Sequence, residues 1–83
     1  MTSRYDCIVD ALCKHREVVL EVHKDRELTT IAMVKKQKCK YNQMRKAVGL
    51  PGLSQMVIIV EKSKVSTERR RITFKLLFSV DLC

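Results

Sequence analysis

The side chains of this sequence best suited to chemistry are its cations, which are concentrated in the C-terminal half. The 83 residues carry a net charge of +8. Residues 35–83 hold twelve Lys/Arg against three Asp/Glu, whereas residues 1–34 hold five against six. Clustered cations attract phosphate groups and acidic protein surfaces, although a solvated charged face also keeps a protein soluble. The uneven distribution predicts an anionic partner for the C-terminal half.

The cations form two clusters along the chain, one entering a predicted helix and one around the tip of a predicted hairpin. Only residues 50–54 separate these two elements, so we expect the clusters to merge into one surface. Lys38 and Lys40 are predicted at the N-terminus of the helix, where free backbone N–H groups would also bind phosphate. The predicted contacts to nucleic acid are Lys35, Lys36, Lys38, Lys40, Asn42, Arg45, Lys46, Lys62, Lys64, Arg69, Arg70 and Arg71.

The few aromatic residues narrow the expected mode of binding. Tyr5, Tyr41, Phe74 and Phe78 are the only aromatics, and both Phe are predicted in the core. Proteins that bind single strands usually stack bases on several aromatic rings. We therefore predict a non-enzymatic module whose phosphate-led contacts hold duplex DNA or structured RNA with a strong dependence on salt. Within the helix, Asn42, Gln43 and Arg45 would read base edges in a major groove, or would form an ordinary polar helix face.

The cysteines and histidines do not form a catalytic or metal-binding pattern. The four cysteines, Cys7, Cys13, Cys39 and Cys83, are irregularly spaced and include no CxxC pair. We expect reduced thiols, with Cys7 and Cys13 buried, in a cytoplasmic or nuclear protein. The longest apolar run, 56–60, is too short to span a bilayer. The sequence thus predicts no enzyme activity, no metal, no cofactor and no membrane.

The elements that position the cations are predicted from periodicity and capping residues. Gly49 and Pro51 suit the end of a helix. The apolar run 56–60 predicts a strand buried on both faces, and the alternation of residues 70–81 predicts a strand with one apolar face. The predicted elements are helix 3–14, strands 17–23 and 28–35, helix 39–49, and strands 55–64 and 70–81.

These elements predict one α+β domain over residues 1–83, in the order α-β-β-α-β-β. An antiparallel sheet would carry the two helices on one face, with 17–23 and 28–35 as a hairpin. The alternative order, α-α-α-β-β, is that of a winged helix, and in it 28–36 is helical. It would make 39–49 the recognition helix and 62–71 the wing.

A second function remains open beside nucleic-acid binding. The chain would then be a protein-interaction module, such as a small subunit that docks on an acidic partner. A homodimer formed through a sheet edge is a further form of this alternative, because open edges of a sheet need covering or charge.

Overall fold

The computed structural model describes residues 4–14 and 16–77, which fold into an α+β arrangement of two helices and three strands. A one-turn 3₁₀ helix, Lys24–Arg26, joins the first strand to the second helix. In chain order the elements are α1 (Arg4–Cys13), β1 (Val18–His23), α2 (Glu27–Ala47), β2 (Met56–Lys62) and β3 (Arg69–Leu76).

The three strands form one antiparallel sheet in the order β1-β3-β2, with β3 in the centre. The hairpin predicted for the last third of the chain is confirmed, because β2 pairs with β3 from Met56 opposite Leu76 to Lys62 opposite Arg70. The predicted hairpin of 17–23 with 28–35 is wrong. β1 pairs instead with β3, with Val18 opposite Phe74.

The predicted strand 28–35 is the first part of α2, which continues without a break through the helix predicted at 39–49. Thr30 and Val34 are buried and Ile31 is half-buried against the core, a spacing that places all three on one side of a helix. Burial of this stripe outweighs the low helix propensity of Thr, Ile and Val, which costs at most about 0.7 kcal/mol per residue relative to Ala. The order α-β-β-α-β-β is therefore wrong. The helix that the winged-helix alternative places at 28–36 is confirmed, but its order α-α-α-β-β is wrong, because Val18–His23 is a strand and Glu27–Ala47 is a single helix.

The predicted end of the second helix is confirmed by its hydrogen bonds. Gly49 has a positive φ of 83°, a conformation that favours glycine. Its N–H donates to the carbonyl of Lys46, and the N–H of Leu50 donates to that of Arg45. These two bonds form the Schellman motif, which satisfies carbonyls at the end of a helix.

The core lies between the helices and one face of the sheet. The alternation predicted for the last strand is confirmed for Ile72, Phe74 and Leu76, which are buried, while Phe78 and Val80 lie outside the described residues. Ile72 and Phe74 are fully buried and form one cluster with Leu12 of α1 and Val34 of α2. α1 packs on both β1 and β3, the first edge strand and the central strand of the sheet.

The prediction that β2 is buried on both faces is wrong. β2 lies at an edge of the sheet, and Ile59 and Val60 remain 49% and 39% exposed. The apolar run correctly predicts a strand, but the burial of that strand depends on the neighbouring strands and helices. No helix within residues 4–14 and 16–77 has the length and hydropathy needed to cross a membrane.

Candidate nucleic-acid interface

The first basic cluster lies in the middle and C-terminal half of α2, rather than at a helix N-terminus as predicted. α2 begins at Glu27, eight residues before Lys35. The backbone N–H groups near Lys38 and Lys40 therefore bond within the helix and are not available to a phosphate. The prediction that Lys38 and Lys40 lie at a helix N-terminus is wrong because residues 28–35, predicted as a strand, are part of the same helix.

The cations of α2 take no part in the ion pairs of the described residues, although Lys40 lines a cavity with Asp6 and Asp10 of α1. No Asp or Glu occurs from residue 28 to residue 60, and none of the ion pairs of the described residues includes a cation of this segment. Lys38 and Arg45 are half-buried. The four exposed lysines are Lys35, Lys36, Lys40 and Lys46. We call these four the α2 lysine face.

The arginines of the second cluster are engaged within the fold. The guanidinium Nε of half-buried Arg70 lies 3.8 Å from the Oε1 of Glu27, at the start of α2. Arg70 also donates to the carbonyl of Thr67, at 2.9 Å. Arg69 donates to the backbone carbonyl of Glu21, at 3.2 Å. These contacts reduce the charge and the donors that the hairpin offers to a partner.

Acidic residues further offset the charge at this end of the sheet. Arg71 stands in register between Glu21 of β1 and Glu61 of β2. Opposite charges at such cross-strand positions attract each other. Lys62 and Lys64 are exposed and make no ion pair with the described residues. They are the two lysines at the tip of the hairpin that remain available to a partner.

The structure does not bring the two clusters together, contrary to the prediction of one surface. Arg70, at the hairpin end of β3, contacts the first residue of α2. Since an α-helix rises about 1.5 Å per residue, Lys35 lies roughly 12 Å and Lys46 roughly 28 Å farther along α2. Lys35 of the α2 lysine face instead lies beside Gln55 and Met56, at the opposite end of β2.

Two of the predicted contacts of α2 hold the following loop in place. The Oδ1 of half-buried Asn42 accepts a hydrogen bond from the N–H of Leu53, at 2.6 Å. Arg45 donates through Nε to the carbonyl of Pro51, at 2.9 Å. The loop approaches Asn42 so closely that a Cβ at Gly52 would lie 3.1 Å from the Oδ1 of Asn42. The Oδ1 of Asn42 is therefore already engaged within the fold.

A cleft that the sequence does not predict lies between α2 and the start of β2. Its volume is about 310 Å³. Lys35, Lys38, Cys39 and Asn42 of α2 form one wall, and Gln55 and Met56 form the other. The spacing of Gln55 and Met56 does not indicate that they line a cleft, because their position depends on how the loop after α2 brings β2 back beside the helix.

The described thiols differ in exposure. Cys7 is exposed, so the prediction that it is buried is wrong, and Cys39 is also exposed. Cys13 is half-buried, and burial raises the pKa of its thiol. Residues 4–14 and 16–77 contain no group of three or more His, Cys, Asp or Glu side chains arranged to hold a metal ion.

No family model matches this chain, and no curated protein or solved structure is significantly similar to it.

Proposed function

We propose that this protein is a non-enzymatic nucleic-acid-binding module that contacts duplex DNA or structured RNA through the α2 lysine face. The observation that carries the proposal is the set of α2 cations that make no ion pair with the described residues. Lys35, Lys36, Lys40 and Lys46 are exposed, and no carboxylate interrupts the sequence from residue 28 to residue 60. Such a surface repels itself, and phosphate groups would relieve that repulsion.

The dimensions of the face suit a nucleic-acid backbone. Residues 35 to 46 span roughly 16 Å of helix axis, at about 1.5 Å per residue. One strand of duplex DNA places a phosphate every ~3.4 Å along its axis, so the face matches about five phosphates. Neutralising four of them would release counterions and give a slope of log K against log salt of about −3.6.

The aromatic residues of the described chain support a phosphate-led mode. Phe74 is fully buried, and Tyr5 and Tyr41 are half-buried. Stacking of successive bases needs several exposed rings, and these three side chains do not provide them. Duplex DNA or structured RNA, which presents an ordered phosphate backbone, therefore suits the surface better than an extended single strand.

A binding titration tests the proposal. Fluorescence anisotropy of a labelled 20-base-pair duplex of arbitrary sequence, and of an RNA hairpin, should show binding at low salt. The affinity should fall with a log–log slope near −3.6 for DNA. Absence of binding to both probes at low salt, by protein with a folded circular dichroism spectrum, would overturn the proposal.

A second candidate function, a protein-interaction module that forms a homodimer through a sheet edge, is supported by the exposure of β2. Its residues 56–60 are apolar, and Ile59 and Val60 remain exposed at the edge of the sheet. Natural edge strands usually carry a charge, a proline or a bulge that prevents pairing. Sedimentation analysis would test this candidate, since a dimer that dissociates in an Ile59→Lys variant would support it. A wild-type monomer at high concentration would exclude it.

A further inference from the structure

The geometry points to a second element of recognition beside the α2 lysine face: the cleft between α2 and β2 binds a single unpaired nucleotide of the nucleic acid. This inference rests on the proposed function and makes it more specific, because it names the structural feature that the protein would select. A regular duplex would contact only the lysine face. A duplex or hairpin with a bulged nucleotide would contact the face and fill the cleft.

The lining of the cleft matches the parts of a nucleotide. Lys35 and Lys38 supply two positive charges for a phosphate, and neither makes an ion pair with the described residues. Met56 supplies an apolar surface for the face of a base. The side-chain amide of Gln55 has both a donor and acceptors for a base edge.

Both walls of the cleft are fixed before any ligand binds. Asn42 holds the loop through its 2.6 Å hydrogen bond from Leu53, and Arg45 holds it through Pro51. At the start of β2, the carbonyl of Gln55 accepts a hydrogen bond of 3.0 Å from the N–H of Leu77. A site whose walls are already ordered loses less conformational entropy on binding, which favours selective recognition.

The size of the cleft limits the ligand. Its volume of about 310 Å³ lies at the lower end of the range for small-molecule sites, so it suits one nucleotide and not a stretch of strand. An acidic peptide would satisfy the two lysines as well as a phosphate does. It would not use Met56 and the amide of Gln55 together, which favours a nucleotide.

The experiment compares three labelled RNA duplexes of the same length. One is fully paired, one carries a single bulged adenosine, and one carries an abasic bulge at the same position. We expect the bulged adenosine to raise affinity about tenfold over the paired duplex, because a good polar contact to a base edge discriminates by roughly that factor or more. The abasic bulge should give no gain, since it leaves the backbone intact and removes the base.

Two matched variants locate the effect. Gln55→Ala should abolish the tenfold preference while leaving affinity for the paired duplex unchanged. Gln43→Ala, which changes an exposed glutamine of α2 that does not line the cleft, should leave the preference intact. Equal binding of all three duplexes, or a preference that survives Gln55→Ala, would overturn the inference and leave the proposed function standing.

A titration with adenosine 5′-monophosphate separates the inference from the proposed function. We expect it to shift the side-chain amide resonances of Gln55 and Asn42 in NMR spectra and not those of Gln43. Such shifts without binding to any duplex would support the cleft and overturn the proposed function. Absence of both the resonance shifts and duplex binding would overturn both the inference and the proposed function. Displacement of the nucleotide by an equal concentration of a hexaglutamate peptide would show that the cleft recognises charge alone, and would overturn the inference.

Discussion

Removal of three charges from the α2 lysine face should flatten the salt dependence of nucleic-acid binding. The change is Lys36→Gln, Lys40→Gln and Lys46→Gln together. All three side chains are exposed, and glutamine is almost as good a helix former as lysine, so the fold should be retained. Each neutralised phosphate contributes about 0.9 to the slope of log K against log salt, so the slope should fall from about −3.6 to about −0.9.

These slopes correspond to large differences in affinity. Between about 50 and 200 mM salt, a slope near −3.6 implies a roughly 150-fold loss, whereas a slope near −0.9 implies a loss of only about 3.5-fold. Anisotropy titrations of a labelled 20-base-pair duplex at four salt concentrations would measure both slopes. Circular dichroism of each protein would establish that the variant is folded.

The control is a variant with the same loss of charge elsewhere, Lys62→Gln, Lys64→Gln and Lys75→Gln. These lysines are also exposed and lie on the hairpin, with Lys62 and Lys64 at its tip. Because the net charge falls equally in both variants, a difference between them reports contacts and not the overall field of the protein. Equal slopes for the two variants, or a flatter slope for the hairpin variant, would refute the assignment of the contact to α2.

Four further predictions test the fold and the thiols. Gly49→Ala should lower the free energy of unfolding by about 1–2 kcal/mol in urea titrations. A Cβ at this position meets no atom within 4 Å, so the cost comes from the positive φ of residue 49. Phe74→Ala, at a fully buried site in the central strand, should cost about 3–5 kcal/mol or prevent folding, and a loss below about 1 kcal/mol would contradict the described core. Ser63 is buried, donates to Glu21 at 2.6 Å and accepts from the N–H of Val65, so Ser63→Ala should cost about 1–3 kcal/mol. Because burial raises the pKa of Cys13, its thiol should remain protonated to higher pH, and mass spectrometry should find it alkylated more slowly than Cys7 at mildly alkaline pH.

The parts of the fold predicted from sequence are those whose local pattern agrees with their packing. α1 carries its apolar side chains at helical spacing, and Ile8, Val9 and Leu12 are indeed buried. β3 alternates because one face meets the core and the other does not, and Gly49 marks the end of α2 because its backbone has a positive φ. Each of these signals arises within a few residues of the chain.

The segment 28–35 was misassigned because its local preference and its packing conflict. Thr, Ile and Val favour strands weakly, and the stripe formed by Thr30, Ile31 and Val34 is recognisable only if the helix is continued through Tyr41. That continuation carries lysines at intermediate positions, which interrupt the apolar pattern. The position of β1 beside β3 was likewise beyond local reasoning, because residues 46 or more apart in the chain form that pairing.

The candidate site was predicted by composition and only partly by position. The concentration of cations in residues 35–46 was evident from the sequence. Their separation from the hairpin arginines was not, because it follows from α2 beginning at Glu27 and contacting Arg70 there. The role of Gln55 in a cleft depends on the loop that Asn42 holds, which no spacing rule describes.

Protection of native thiols tests the central claim most directly, since it requires no substitution. Cys39 is exposed on α2 between Lys38 and Lys40, and Cys7 is exposed on α1. Alkylation of the folded protein, with and without saturating duplex at low salt, is followed for each cysteine by mass spectrometry. We predict that the duplex slows alkylation of Cys39 at least several-fold, and slows alkylation of Cys7, which lines a cavity with Lys40, by less. Unchanged alkylation of Cys39 under conditions where anisotropy shows the duplex bound, or protection of Cys7 alone, would contradict binding through the α2 lysine face.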